Sequence, residues 1–262
     1  MTDVDAVIAA LRTGHDRLAE LVKTFGEAEL AAQSAASEWD IAQVLSHLGS
    51  GAEIMGNAFQ LALEGQPPGD KAYNKSVWKR WNGLSRREQA DNFLDWNEKF
   101  VVLFESLDSD QRRNLRVQLS FLPEPTDVAT YVQMRLNELT FHSWDVRSPA
   151  DPTLPLDSEA VPHLLRTPVD PSWITKPASL NGRTAVVGIT TTEPATEFTL
   201  RLGDPVSIEW APAANADATL TLPAEAWLRL SAGRLDPAHT PDSVKIYGAV
   251  SLDTIRGVFA GF

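Results

Sequence analysis

The chain contains no cysteine. That absence excludes disulfides, a protein thiolate nucleophile, thiolate-bound zinc and an iron–sulfur cluster. Any thiol chemistry here has to use a thiol that arrives with a cofactor. Long apolar runs are absent too: no stretch approaches the roughly 18 residues needed to span a bilayer. The first residues, MTDVDAVIAALRTGHD, are charged and amphipathic and have no apolar signal core, so a cytoplasmic location is expected. Positive charge is scarce, with 23 Lys and Arg against 35 Asp and Glu and a formal net charge of -12. A phosphate backbone or an anionic bilayer would be repelled, so neither nucleic acid nor membrane is expected as a partner. Arg112, Arg113 and Arg116 form a local exception and read as a solvated turn. There is no Gly-rich phosphate loop, no G-x-S-x-G elbow and no Walker lysine, which leaves serine hydrolase, kinase and nucleotide-cofactor readings without support.

What is present is ordinary globular material, 43% hydrophobic and 22% charged over 262 residues. Apolar residues at helical spacing predict four long helices, over residues 4–25, 40–65, 85–107 and 126–146. Asp40 followed by Gln43 has the form of a capping box. Gly49, Gly51 and Gly56 weaken the second helix in isolation and would let a neighbour approach closely. The pattern changes at Ser148-Pro149-Ala150-Asp151-Pro152, a Pro-rich boundary. Beyond it come a short helix over 158–165, strand-like runs at 184–190, 196–202, 206–210, 218–222 and 244–247, and helices over 223–232 and 252–259. The expected fold class is therefore α + (α+β): a four-helix bundle over residues 1–148, then a smaller α+β domain over 149–262.

Glu138 and His142 stand four apart on the last bundle helix, on one face and close enough to share an ion. His47 lies inside the apolar stripe of the second helix. Two histidines and a carboxylate suit zinc or a similar divalent ion, and three protein ligands leave a position open, as in catalytic sites. Nickel, manganese and iron suit the same donors. The plainer readings are a surface Glu–His pair and a satisfied core histidine, and spacing alone favours those. Asp145, three residues after His142, is placed to accept from a ligand histidine or to pair with Arg147. Trp39 reads as a staple at the helix start, Trp144 as core and His15 as exposed on the first helix. His163 and His239 lie in loop-like sequence beside prolines.

Two stretches change the balance. Ser37-Glu38-Trp39-Asp40-Ile41-Ala42-Gln43-Val44-Leu45-Ser46-His47-Leu48 and Arg135-Leu136-Asn137-Glu138-Leu139-Thr140-Phe141-His142-Ser143-Trp144-Asp145-Val146 occur in this order, about 90 residues apart. They resemble the two signatures of the DinB-like N-terminal domain of the mycothiol-dependent maleylpyruvate isomerase family, over residues 1–148. Asp40 departs from the usual Ser or Thr but caps a helix equally well, and Glu38 replaces a common glycine. The second domain resembles the family's sterol-carrier-like C-terminal domain through Ala216-Asp217-Ala218-Thr219-Leu220 and Leu230-Ser231-Ala232-Gly233-Arg234.

The resemblance implies that His47, Glu138 and His142 hold a divalent metal, with mycothiol as co-substrate and a small electrophile as its acceptor. It further implies that Arg234 faces the active site from the C-terminal domain, where it would clamp a carboxylate; the plainer reading of Arg234 is a solvated pair with Asp236. A thiol S-transferase or isomerase is expected. Strict maleylpyruvate isomerisation, thiol exchange in natural-product biosynthesis, a metal-dependent hydrolase and a non-catalytic carrier of small apolar ligands stand as alternatives. The oligomeric state is left open, a monomer among the options.

Overall fold

The computed structural model describes residues 3–119, 122–167, 170–259 and 261. The chain divides into two compact units, Met1–Asp151 and Pro152–Phe262.

The first unit is helical: α1 (Val4–Val22), α2 (Glu27–Leu30), α3 (Ile41–Leu63), α4 (Lys71–Asn82), α5 (Arg86–Glu105), α6 (Ser109–Asn114) and α7 (Val128–Arg147). A two-stranded antiparallel ribbon of β1 (Arg116–Val117) and β2 (Thr126–Asp127) precedes α7. The four long helices close a ring: α3 packs on α5 and α7, and α1 packs on the same two. Local chemistry starts each helix where the sequence places it. Asp40 with Gln43 and Ser85 with Glu88 form capping boxes, and Asp127 caps α7 through the Thr130 amide. Such caps contribute about 1 kcal/mol each. Val7, Leu11, Leu18 and Val22 of α1 meet Leu45, Leu48 and Phe59 of α3, Phe93, Phe100 and Phe104 of α5 and Val132 and Leu136 of α7 in a fully buried core. Phe59 and Phe104 pack with ring centroids 4.4 Å apart. Residues 139–146 of α7 are buried on every side, so its apolar stripe is lost in a uniformly buried segment.

Two features depart from the sequence expectations. Helix α4 occupies a stretch for which the sequence reading has no element. It is rich in Lys and Arg and buries only Val77 and Trp81 fully, so its periodic signal is weak. Tertiary contacts hold it: Trp81 Nε1 donates to Glu53 Oε2 at 2.8 Å, and Arg80 pairs with the same buried carboxylate. The second departure is His15, expected on the surface but only 3% exposed. Its spacing from Leu11 and Leu18 places it on the buried stripe of α1, where Asn97 and Glu98 satisfy both ring nitrogens. The arginine cluster, expected as a solvated turn, lies instead on α6 and β1: Arg113 and Arg116 are exposed, but Arg112 is half-buried and pairs with Asp5, because α6 packs beside the start of α1.

The second unit contains α8 (Val161–Leu164), α9 (Ala224–Ser231), α10 (Leu252–Val258) and a five-stranded sheet. Its strands are β3 (Ala185–Thr191), β4 (Thr196–Leu202), β5 (Ser207–Glu209), β6 (Ala218–Leu222) and β7 (Lys245–Gly248), in the order β5-β4-β3-β6-β7. β3 and β6 run parallel and the other neighbours antiparallel. β6 alternates strictly, with Ala218, Leu220 and Leu222 buried and two threonines exposed. Trp227 of α9 packs edge-on against Phe198 of β4 and against Phe259, which ties helices to the sheet. At Gly248 (φ 115°) a Cβ would come within 2.4 Å of the Asp217 carbonyl, so β7 ends on a residue only glycine can supply.

Gly49 is where α3 admits its neighbours. A Cβ there would fall 2.2 Å from the Trp81 ring. Gly49→Ala is expected to destabilise the helical unit by about 1–3 kcal/mol through overpacking. The check is a lower urea midpoint for that unit, with an unchanged far-UV spectrum in the absence of urea.

Candidate metal centre

Three of the residues singled out from sequence converge. His47 comes from the second turn of α3, and Glu138 and His142 from successive turns of α7. His47 Nε2 lies 2.9 Å from Glu138 Oε2, and His142 Nε2 lies 3.8 Å from the same oxygen. The ligand atoms of all three fall within 4.8 Å of one another. A tetrahedral zinc with ligand bonds near 2.1 Å separates its donors by roughly 3.4 Å, so this spread matches one ion. His47 and Glu138 are about two-fifths exposed, which leaves the site open on one side.

The surroundings orient the donors. Asp145 is fully buried, and its Oδ2 accepts from His142 Nδ1 at 2.8 Å. That bond puts the proton on Nδ1 and leaves the Nε2 lone pair facing Glu138, the tautomer a metal needs. The loop before α3 is docked on α7 in turn, since the Ala35 amide donates to the Asp145 carbonyl at 2.9 Å. Ser34 Oγ and Gln33 Nε2 both donate to the Trp39 carbonyl. Trp39, expected only as a staple, therefore lies against the site, its ring centroid 5.1 Å from His47 and 6.1 Å from His142. Its indole lies against both imidazoles on one side of the site.

Burial alone would raise the Glu138 carboxyl. The hydrogen bond from His47 and the nearby charges of His142, His47 and Arg135 outweigh it and hold the group at about 2. Arg135 is buried to 1% exposure, and that burial draws its guanidinium down to about 10 against the opposing influence of Glu138 and Tyr131. Sequence reasoning passed over Arg135, although Val132 and Leu139 bracket it at helical spacing and mark it as a buried cation. The other histidines lie elsewhere. His15 bonds Asn97 and Glu98, His163 is on α8, and His239 Nδ1 bonds Asp236 at 2.8 Å. Trp144 is buried, as a core residue should be. Arg234 belongs to the second unit, just past α9, where its guanidinium donates to the Ala232 carbonyl at 3.1 Å.

A helical bundle with a two-histidine, one-carboxylate centre, followed by an α+β unit, defines a class of two-part proteins built around a metal-type donor set. Residues 11–147 match the family described as mycothiol maleylpyruvate isomerase N-terminal domain, and the chain belongs to that family. Residues 163–248 match the SCP-2 sterol transfer family. Among solved structures, the mycothiol-dependent maleylpyruvate isomerase is similar, with a TM-score of 0.64, 13% identity and 95% of each chain covered. A histidine-to-alanine mutant of that enzyme gives a TM-score of 0.63 at the same identity and coverage. At that identity the likeness is one of fold. No curated protein matches the chain. Among the described residues, no helix is long and apolar enough to cross a membrane.

The depressed Glu138 pKa has a signed consequence for the metal-free chain. The folded state holds this carboxylate at about 2, while an unfolded glutamate titrates near 4.3. Its contribution to stability is full above the unfolded value and is lost as pH falls from there toward 2. Glu138→Gln is expected to remove that part of the acid dependence, which urea unfolding of the metal-free parent and variant between pH 5 and 2 measures.

Proposed function

We propose that this chain is a metal-dependent enzyme that joins a low-molecular-weight thiol, mycothiol in the first instance, to an electrophilic small molecule. The convergence of His47, Glu138 and His142 around one point, with Asp145 setting the His142 tautomer, carries the reading. The donor set fits a divalent ion, zinc first among the candidates, with room for an incoming ligand on the open side. Such an ion lowers the pKa of a thiol and so makes thiolate available at neutral pH.

The chain's own residues do the rest. His47 and Glu138 come from different helices, so the bundle brings the donors together before any ligand arrives. Asp145 keeps the His142 Nε2 lone pair available. Trp39 lies beside both imidazoles and would present an apolar wall to substrate. In the addition step the thiolate sulfur bonds to an electrophilic carbon, and the displaced electron pair moves onto the conjugated acceptor. For an isomerase, rotation about the former double bond and loss of the same thiol return a trans alkene. For an S-transferase, protonation of the adduct leaves the thioether as product. No cysteine competes with the incoming thiol. General S-transfer is preferred to strict maleylpyruvate isomerisation because nothing in the site selects one acceptor. Arg234 is proposed to hold a carboxylate of substrate or thiol, as a bidentate guanidinium does.

Elemental analysis of the purified chain is expected to find near-stoichiometric divalent metal, lost from folded His47→Ala and His142→Ala variants. The parent is expected to consume an activated alkene only when thiol is added. Turnover without thiol would favour the hydrolase reading, and absence of metal after reconstitution with zinc would favour the carrier reading. Arg234→Met is expected to raise KM for a carboxylate-bearing substrate about tenfold or more, in keeping with the ~1.5–3 kcal/mol of a charge-assisted hydrogen bond. Initial rates over a range of substrate concentrations check this.

A further inference from the structure

Arg135 lies on α7 one turn before Glu138 and is almost wholly buried. Among the described residues no carboxylate accepts a hydrogen bond from its guanidinium, and its Nε has no partner. A buried cation without a bonded anion is costly, and an apolar side chain of similar size would fill the same space without that cost. The contacts it does make point to a reason for keeping it. Nη2 donates to the main-chain oxygen of Leu48, the residue after His47, at 2.8 Å. The same nitrogen donates to Asn97 Oδ1 on α5 at 2.5 Å. Gly51 makes room on α3, for a Cβ there would lie 3.2 Å from Nη1.

The chain of bonds continues outward with a fixed polarity. A guanidinium only donates, so Asn97 must turn its oxygen to Arg135 and its amide nitrogen away. Asn97 Nδ2 then donates to His15 Nδ1 at 2.7 Å. His15 consequently carries its proton on Nε2 and donates to Glu98 Oε2 at 2.9 Å. Arg12 bonds both oxygens of Glu98 and anchors the outer end. The bonds link all four long helices, and their inner end is the backbone beside one metal-type donor and the helical turn beneath another.

We infer that Arg135 is a positioning residue for the metal centre. It fastens the α3 backbone next to His47 to the α7 turn that carries Glu138, and the Asn97–His15–Glu98 chain holds the guanidinium in that orientation. The inference rests on the metal reading of this site. Fastening and charge act in opposite directions: a nearby cation repels a metal ion, while a fixed donor spacing favours it. Substitutions therefore separate the two. Lysine keeps the charge, but its ammonium ends one bond short of the Nη2 position from which both Leu48 and Asn97 are reached. Glutamine removes the charge.

The test is Zn²⁺ affinity, by competition with a chromogenic chelator, and the visible spectrum of the Co²⁺ form, on parent, Arg135→Lys and Arg135→Gln proteins shown to be folded by circular dichroism. Both variants are expected to bind Zn²⁺ roughly 10–100-fold more weakly, as removal of an orienting partner does, with an altered Co²⁺ spectrum. A purely structural role would lower the melting temperature and leave affinity and spectrum as in the parent. Folded Arg135→Lys with parental affinity and spectrum overturns the inference, as does Arg135→Gln binding more tightly than the parent. If the arginine variants do not fold, Asn97→Leu on α5 takes their place, with weakened Zn²⁺ binding expected and parental binding overturning the inference. A parent chain that takes up no metal overturns the metal reading together with this one, whereas parental uptake with unaffected variants overturns this one alone.

Discussion

The structure depends on the close approach of α3 and α7. His47 and Glu138 are 91 residues apart in the chain and 2.9 Å apart in space, and no local interaction brings them together. Burial of the α3 and α7 core residues drives that approach, and the small residues of α3 permit it. Gly49 lets Trp81 and the α5 backbone close on one side, and Gly51 admits the Arg135 guanidinium on another. These glycines weaken α3 as an isolated helix, and the core they admit offsets the loss.

The centre is polar in an apolar bundle, and its polar groups are satisfied in a directed order. Asp145 accepts from His142, which leaves the opposite nitrogen turned toward Glu138. Glu138 accepts from His47 and stays ionised although it is half-buried. The second cluster, His15 with Asn97 and Glu98, has a histidine and a carboxylate as well, but Arg12 already bonds the Glu98 carboxylate bidentately. The difference between the two clusters is therefore one of neighbours: a cation caps one carboxylate, while the other faces two imidazoles and an open side. The same kinds of side chain form a metal-type donor set in the first case and a hydrogen-bonded brace in the second.

Much of the architecture was legible from the sequence. The long helices, the change of pattern at the Pro-rich stretch and the strands at 196–202 and 218–222 follow from periodicity and turn chemistry, because those elements, the last two turns of α7 apart, have one buried face. Helix α4 was not legible, since its stability comes from Trp81 and Arg80 reaching Glu53 on another helix rather than from an apolar stripe. Residue type alone places His15 at the surface, whereas its spacing on the α1 stripe and its partners Asn97 and Glu98 bury it. Trp39 was assigned to packing at a helix start, and only the docking of residues 33–40 on α7 brings its ring onto the two histidines.

By itself the sequence determined where histidine and carboxylate donors stand on the helices and that no protein thiol is present, since residue type and helical spacing are local properties of the chain. Only the tertiary structure decided that His47 meets Glu138 and His142 at one point, that Asp145 selects the tautomer of His142, and that Arg135 joins the two helices from inside the core. Those outcomes depend on how helices distant in the chain pack, and packing is set by the whole core at once.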